Sequence, residues 1–254
     1  MGRKSNPALG QNFFTDTEKL RELASILPKD KTVLEIGAGL GALTRILSEF
    51  SQKVYAVEKD AVLCAWLAEN MKDDKLEVIC GDFLELDLPP LPHDFIAAGN
   101  LPYYITTPVC ERLFLLSPTQ MLLMVQKEAG ERFFARPGQK NYGAVAVLSR
   151  LYYTANCLCE LSEACYYPQP AVRSVVVHFE KKATAPAVPP QSLARFVKSC
   201  LALRRKTLAN NLKGTVGLDA ALLQTGISPA TRGEALTPEQ FLLLYEVLRT
   251  YDRD

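Results

Sequence analysis

Short apolar runs alternate with helical periods over the first half of the chain. Residues 32–36, Thr-Val-Leu-Glu-Ile, form an apolar run stopped by glycines, which predicts a buried strand. Similar runs at 53–57, 76–80, 94–98 and 121–125 predict four more. Between them, residues 42–50 and 60–72 carry a helical period, the second with Val62, Leu63, Trp66 and Leu67 on one face. A first helix is expected before residue 30, with Leu20, Leu23, Ala24 and Leu27 in register, Asp16 or Thr17 as cap, and Pro28 as stop. Strands alternating with helices at this spacing predict βαβ units and a mainly parallel sheet.

The pattern changes after residue 150. Residues 151–161 and 173–180 predict two strands with no crossover helix, as in an antiparallel edge hairpin. Residues 183–191 hold three prolines and no charge, the composition of a linker. Residues 192–254 show helical periodicity only. The expected division is therefore an α/β domain over 1–182 with an N-terminal arm over 1–30, a linker, and a small all-helical C-terminal domain.

Length and composition narrow the class. The 254 residues suffice for a large domain with a small appendage, and 48% hydrophobic and 22% charged residues are ordinary for a globular chain. A net charge of +1 leaves only local patches to speak for nucleic acid. No apolar run approaches the ~20 residues of a membrane helix. The N-terminus lacks the apolar core of a secretory signal, so a cytoplasmic chain is expected. Seven cysteines without a CxxC pair, and two histidines, predict free thiols and no metal.

The first strand runs into Glu35, Gly37, Gly39 and Gly41. This GxGxG spacing differs from the GxGxxG of dinucleotide sites, and Glu35 would repel a pyrophosphate while suiting a zwitterion with an amino group. Glu58 ends the second strand, where a carboxylate can accept ribose hydroxyls, and Asp82 with Phe83 follows the third. The combination resembles class I S-adenosylmethionine methyltransferases. In that setting Asp82 receives the cofactor's adenine amine and Phe83 packs on its ring.

The fourth strand leads to Asn100, Leu101, Pro102 and Tyr103, which resembles the (N/D)-x-P-(Y/F) motif of amino-methyltransferases. The lone pair of adenine N6 is delocalised into the ring, so the amine is a poor nucleophile. Two acceptors on its N–H bonds, the Asn100 side-chain oxygen and the Leu101 carbonyl, draw it toward tetrahedral geometry. Pro102 pushes Leu101 into the extended conformation this needs. Tyr103 offers a face on which an extruded base can stack.

Three further segments resemble those of the KsgA/RsmA-type small-subunit ribosomal RNA adenine N6-dimethyltransferases: Gly10-Gln11-Asn12-Phe13-Phe14, the stretch from Tyr166 through Pro168, Pro170 and Val172 to Ser174, and the Arg204-Arg205-Lys206-Thr207 segment with Asn210 and Asn211. The resemblance spans about residues 10–250. It implies a Rossmann-like fold with a seven-stranded sheet, S-adenosyl-L-methionine as cofactor, and two adjacent adenosines near the 3′ end of small-subunit rRNA as target. It also implies that Asn12, Phe14, Gly37, Glu58, Asp82 and Asn100 contact cofactor or target, and that Tyr166 clamps the adenine opposite Tyr103. Arg204, Arg205, Lys206, Asn210 and Asn211 are expected to bind RNA. The expected partner is rRNA or the immature small subunit, met by a monomer.

Phe14 stands for the family's leucine, Tyr166 for its phenylalanine, Ala171 for its lysine, and Arg173 for an acidic residue or asparagine. Relative to that pattern, the basic residue has moved by two positions. The alternatives are a large-subunit (23S-type) rRNA methyltransferase, which usually opens on SQNF where Gly10 stands here; a mitochondrial transcription-factor branch; a ribosome-assembly or RNA-binding factor retaining the fold; and a Rossmann oxidoreductase.

Overall fold

The computed structural model describes residues 11–251, together forming two compact units. Among the described residues, the first comprises 11–130 and 156–181, the second 131–155 and 182–251. Gly10 of the arm motif lies outside the described residues, as does the side chain of Tyr103.

The elements run β1 (Phe13–Phe14), α1 (Thr17–Ala24), β2 (Thr32–Ile36), α2 (Ala42–Phe50), β3 (Lys53–Glu58), α3 (Ala61–Asn70), β4 (Leu76–Cys80), β5 (Ile96–Asn100), α4 (Thr106–Leu116), β6 (Gln120–Gln126), α5 (Lys127–Phe133), α6 (Ala144–Tyr152), β7 (Tyr153–Leu161), β8 (Tyr166–Tyr167) and β9 (Ser174–Lys181). Then follow α7 (Pro190–Leu201), α8 (Leu208–Asn211), α9 (Leu218–Thr225) and α10 (Pro238–Tyr251).

Seven strands form one sheet in the order β4-β3-β2-β5-β6-β9-β7. The pairs from β4 to β6 are parallel, and β9 runs antiparallel to β6. The central strands β2, β5 and β6 are buried on both faces, as in a covered parallel sheet. Val33, Val54, Ala56, Ile96, Ala98, Leu122 and Met124 point one way, into a core shared with Leu20 and Leu23 of α1, Ile46 and Leu47 of α2 and Leu67 of α3. Their neighbours point to the other face, where Phe114 of α4 meets Phe179 of β9 edge-on at 5.9 Å.

Three expected boundaries shift. The fourth strand begins at Ile96, because Phe95 closes a turn through its amide to Pro92, and it extends to Asn100. Helix α1 is capped by the Asp16 side chain on the Lys19 amide and ends at Ala24, before Pro28. The run from 151 begins its strand at Tyr153, because residues 144–152 are helical.

In the second unit, eight of the nine residues of α6 are buried, and the helix packs on α7 and α10. A helix buried all round has no polar face and so no amphipathic period to read. The Tyr142 ring stands 6.5 Å from Phe241 and its hydroxyl donates to the Leu236 carbonyl at 2.8 Å. This unit thus combines residues 131–155 with the C-terminal helices, while the expected helical domain began at 192.

Candidate active site

The carboxyl ends of β2, β3 and β5 and the turn after β4 open on one cavity of about 960 Å³ in the first unit. Open α/β sheets bind ligands at this edge. Of the expected cofactor residues, Asn12, Phe14, Glu35, Gly37, Gly39, Glu58, Asp82 and Phe83 line it. Asn100, Leu101 and Pro102 line the same space, so the two predicted motifs share one chamber.

The glycine loop is built to pass close to its surroundings. Gly39 sits at φ +58, and a Cβ there would stand 3.3 Å from the Phe13 ring. Gly41, at φ +77, starts α2 and does not line the cavity; a Cβ on it would collide with Met71. Left-handed backbone of this kind favours glycine.

Two carboxylates meet at the head of the loop. Glu58 accepts the Gly39 amide on Oε2 and the Asp60 amide on Oε1, each at 2.8 Å, which ties the loop to β3. Glu35 is 1% exposed, and its Oε2 has no hydrogen-bond partner. Burial pushes the Glu35 carboxyl up to about 7; Thr44 opposes the shift and nearby Glu58 adds to it. A buried acceptor facing a cavity without a partner is costly unless a ligand supplies one. An ammonium or other cation fits that place.

Asp82 is partly engaged. Its Oδ2 takes the Lys59 ammonium at 2.7 Å and its Oδ1 the Leu84 amide at 2.9 Å, which together hold the carboxyl below the ordinary carboxylate range. Each carboxylate oxygen retains a second lone pair for a ligand amine. The Arg112 guanidinium covers the Phe83 ring at 4.9 Å and donates to the Phe83 carbonyl, fixing this wall. Sequence reasoning passed over Lys59, although it lies beside Glu58 and lines the cavity.

At the end of β5, the Asn100 Nδ2 donates to the Asn12 carbonyl at 2.9 Å. The amide is thereby oriented, and Oδ1 remains an acceptor. The Leu101 amide is bound to the Met124 carbonyl at 2.9 Å, which anchors the turn to β6.

Tyr166 departs from expectation. It is 2% exposed, packs edge-on against Phe14 with ring centroids 5.0 Å apart, and is absent from the cavity wall. Its neighbour Tyr167 lines the cavity instead. The physical reason is strand alternation, since adjacent residues of β8 face opposite sides.

The expected RNA-binding residues lie in the second unit. Arg204, expected on phosphate, is engaged within the protein. Its Nε and an Nη bind Glu234 at 3.1 and 2.9 Å, and its Nη atoms bind the carbonyls of Lys140 and Gln139 at 2.5 and 3.2 Å. Asn211 fastens the same loop, accepting the Leu203 amide at 2.9 Å and donating to the Leu203 carbonyl at 3.2 Å. Asn210 donates to the Thr207 hydroxyl at 3.0 Å. Arg205 and Lys206 stand exposed on the loop so held. Among the described residues, no group of three or more His, Cys, Asp or Glu could hold a metal ion, and no helix is long and apolar enough to cross a membrane.

Residues 2–250 match the family described as ribosomal RNA adenine dimethylase. The ribosomal RNA small subunit methyltransferase A of Thermosynechococcus vestitus is 39% identical over 97% of both chains. That of Deinococcus radiodurans is 39% identical over 92% of this chain and 82% of its own. Among solved structures, a dimethyladenosine transferase from Plasmodium falciparum superposes with a TM-score of 0.77 at 22% identity, covering 94% of this chain and 98% of its own. The 23S rRNA methyltransferase ErmE gives 0.64 at 24% identity, covering 94% and 100%. These two likenesses speak for the fold. The long sequence match carries the assignment: this chain belongs to the ribosomal RNA adenine dimethylase family.

Proposed function

We propose that this chain transfers methyl groups from S-adenosylmethionine to N6 of two adjacent adenosines near the 3′ end of small-subunit rRNA. The product is N6,N6-dimethyladenosine, made while the small subunit matures. In this reading the chain works in the cytoplasm as a monomer on the immature subunit. The observation that carries it is the Asn100 amide, held by the Asn12 carbonyl so that Oδ1 is left as an acceptor in a cavity lined with carboxylates.

When bound, S-adenosylmethionine supplies an electrophilic sulfonium methyl. Glu35 would hold its ammonium, Glu58 its ribose hydroxyls, Asp82 its adenine amine and Phe83 its ring. Asn100 Oδ1 and the Leu101 carbonyl accept the two N–H bonds of the target amine, which relocalises its lone pair. The proton leaves after transfer, when the nitrogen is cationic and acidic, so no side-chain base is needed. Positioning supplies most of the acceleration. Arg205 and Lys206 meet RNA phosphates.

The test is transfer of labelled methyl from S-adenosylmethionine to undermethylated small subunits, with nucleoside analysis of the product. N6,N6-dimethyladenosine near the 3′ end is the expected result. Cofactor binding without transfer to the small subunit would overturn the reading.

A further inference from the structure

Strand β4 lies at the edge of the sheet and presents Leu76, Val78 and Cys80 on one face, two residues apart. Leu76 and Val78 pack on the core that holds Leu67 of α3. Cys64 stands three residues before Leu67, one turn nearer the start of that helix, so the same face brings Cys80 to Cys64. The two thiols interact side chain to side chain. Cys80 is exposed and Cys64 is buried.

Both cysteines flank the Glu58 carbonyl. It accepts the Cys64 thiol at 3.3 Å and the amide of Gly81, the residue after Cys80, at 2.8 Å. Cys80 is also the register partner of Glu58 between β4 and β3. The chain leads from this point to the carboxylates of the cavity. Glu58 Oε1 holds the amide of Asp60, whose side chain caps α3 on the Val62 amide. Asp82 follows Gly81 directly. Glu58 and Asp82 line the cavity, and the two thiols sit behind that wall without lining it.

Unequal burial gives the thiols different parts. Burial pushes the Cys64 thiol up to about 12, which makes it the weaker nucleophile, and Cys80 is the one that solvent reaches. We propose that Cys80 and Cys64 form a dithiol modification site, which hydrogen peroxide oxidises to a disulfide that displaces the cofactor-binding carboxylates. The Cys80 thiolate attacks the peroxide. An S–O bond forms, the O–O bond breaks, and the departing hydroxide takes up the thiol proton as water. Cys64 gives up its proton as its sulfur attacks the Cys80 sulfenic acid. The S–S bond forms, the S–O bond breaks, and a second water leaves. Two thiols thus lose two electrons and the peroxide is reduced to two waters.

The new bond withdraws the Cys64 thiol from the Glu58 carbonyl and draws the first turn of α3 onto the end of β4. Glu58 and Asp82 then leave the spacing at which one ligand can meet both. A thiol reductant reverses the change, as for the transient disulfides of a reducing compartment. The inference rests on the reading that these carboxylates hold S-adenosylmethionine.

The test titrates S-adenosylmethionine into the full chain, reduced and after hydrogen peroxide. Binding is followed through Trp66, the single tryptophan, which lines the cavity two residues beyond Cys64. Alkylation and peptide mapping identify the linked cysteines. The oxidised parent should carry a Cys64–Cys80 link and bind the cofactor roughly tenfold or more weakly, with recovery in dithiothreitol. Cys80→Ser, at an exposed position, should fold and bind as the reduced parent does and keep its affinity after peroxide. Cys64→Ala should keep its affinity too, with Cys80 oxidised but unlinked. Absence of the link in the oxidised parent overturns the inference, and so does a link that leaves affinity unchanged. An equal loss of affinity in Cys80→Ser also overturns it, because the oxidation then acts elsewhere. A reduced parent that binds no S-adenosylmethionine overturns the cofactor reading instead.

Discussion

The side-chain amide of Asn100 donates to the backbone carbonyl of Asn12 at 2.9 Å, joining the end of β5 to the N-terminal arm. The bond fixes which face of the amide is the acceptor. Asn100→Ala should therefore keep the fold and hold cofactor affinity within a few fold, yet lose transfer by about two orders of magnitude or more. Single-turnover transfer beside cofactor titration checks this, and near-parental transfer would remove Asn100 from the chemistry.

Glu58 ties Gly39 and Asp60 together through its two oxygens. Its loss opens the loop as well as removing an acceptor for ribose. Glu58→Ala should weaken cofactor binding roughly tenfold or more, with a smaller effect on kcat at saturating cofactor. Calorimetric titration against saturating kinetics separates the two, and an unchanged dissociation constant would exclude the role.

On the proposed role of Glu35, cofactor binding should depend on pH. Burial raises its carboxyl to about 7, so it is largely neutral near pH 6 and ionised near pH 7.5. A cationic ligand prefers the ionised form, and affinity should rise roughly eightfold across that interval, as one group titrating near 7 dictates. The unliganded protein behaves oppositely. The folded state holds a proton that the unfolded chain releases near its ordinary value, so stability from this group is full in acid and falls as pH climbs toward 7. Glu35→Gln should flatten both profiles, and affinity that is level with pH in the parent contradicts the assignment.

Arg204 and its neighbours should separate stability from RNA affinity. Arg204→Ala releases Glu234 and two carbonyls and should cost about 1 kcal/mol, a modest value because the pair is partly solvated. Arg205→Glu with Lys206→Glu should leave the melting temperature alone, weaken subunit binding, and reduce its salt dependence. Thermal melts and binding at two salt concentrations tell them apart. Equal melting behaviour of the two variants would refute the division.

Much of this was readable from residues alone. The glycines after β2 and the carboxylates at the ends of β3 and β4 mark the cavity because a parallel sheet brings its carboxyl ends to one edge. Asn100 was legible for the same reason. Tyr167 was not, because a two-residue ladder leaves no periodic trace and only its register decides which tyrosine turns inward. Arg204 reads as a free cation until folding brings Gln139, Lys140 and Glu234 to it from 30 or more positions away. Helix α6, buried on all sides, lacked the polar stripe that reveals a helix in sequence.

The arm reaches both motifs of the cavity within a few residues. Gln11 reaches Asp60 at 3.0 Å, Asn12 holds Asn100, Phe13 lies on Gly39, and Phe14 packs on Tyr166. A segment that touches both motifs couples the ligands they would hold. Whatever ligand settles the arm into place lends part of its binding energy to the other, and reciprocity obliges the second to return the same factor. The coupling between the two affinities thus rests on four consecutive residues ahead of the first helix.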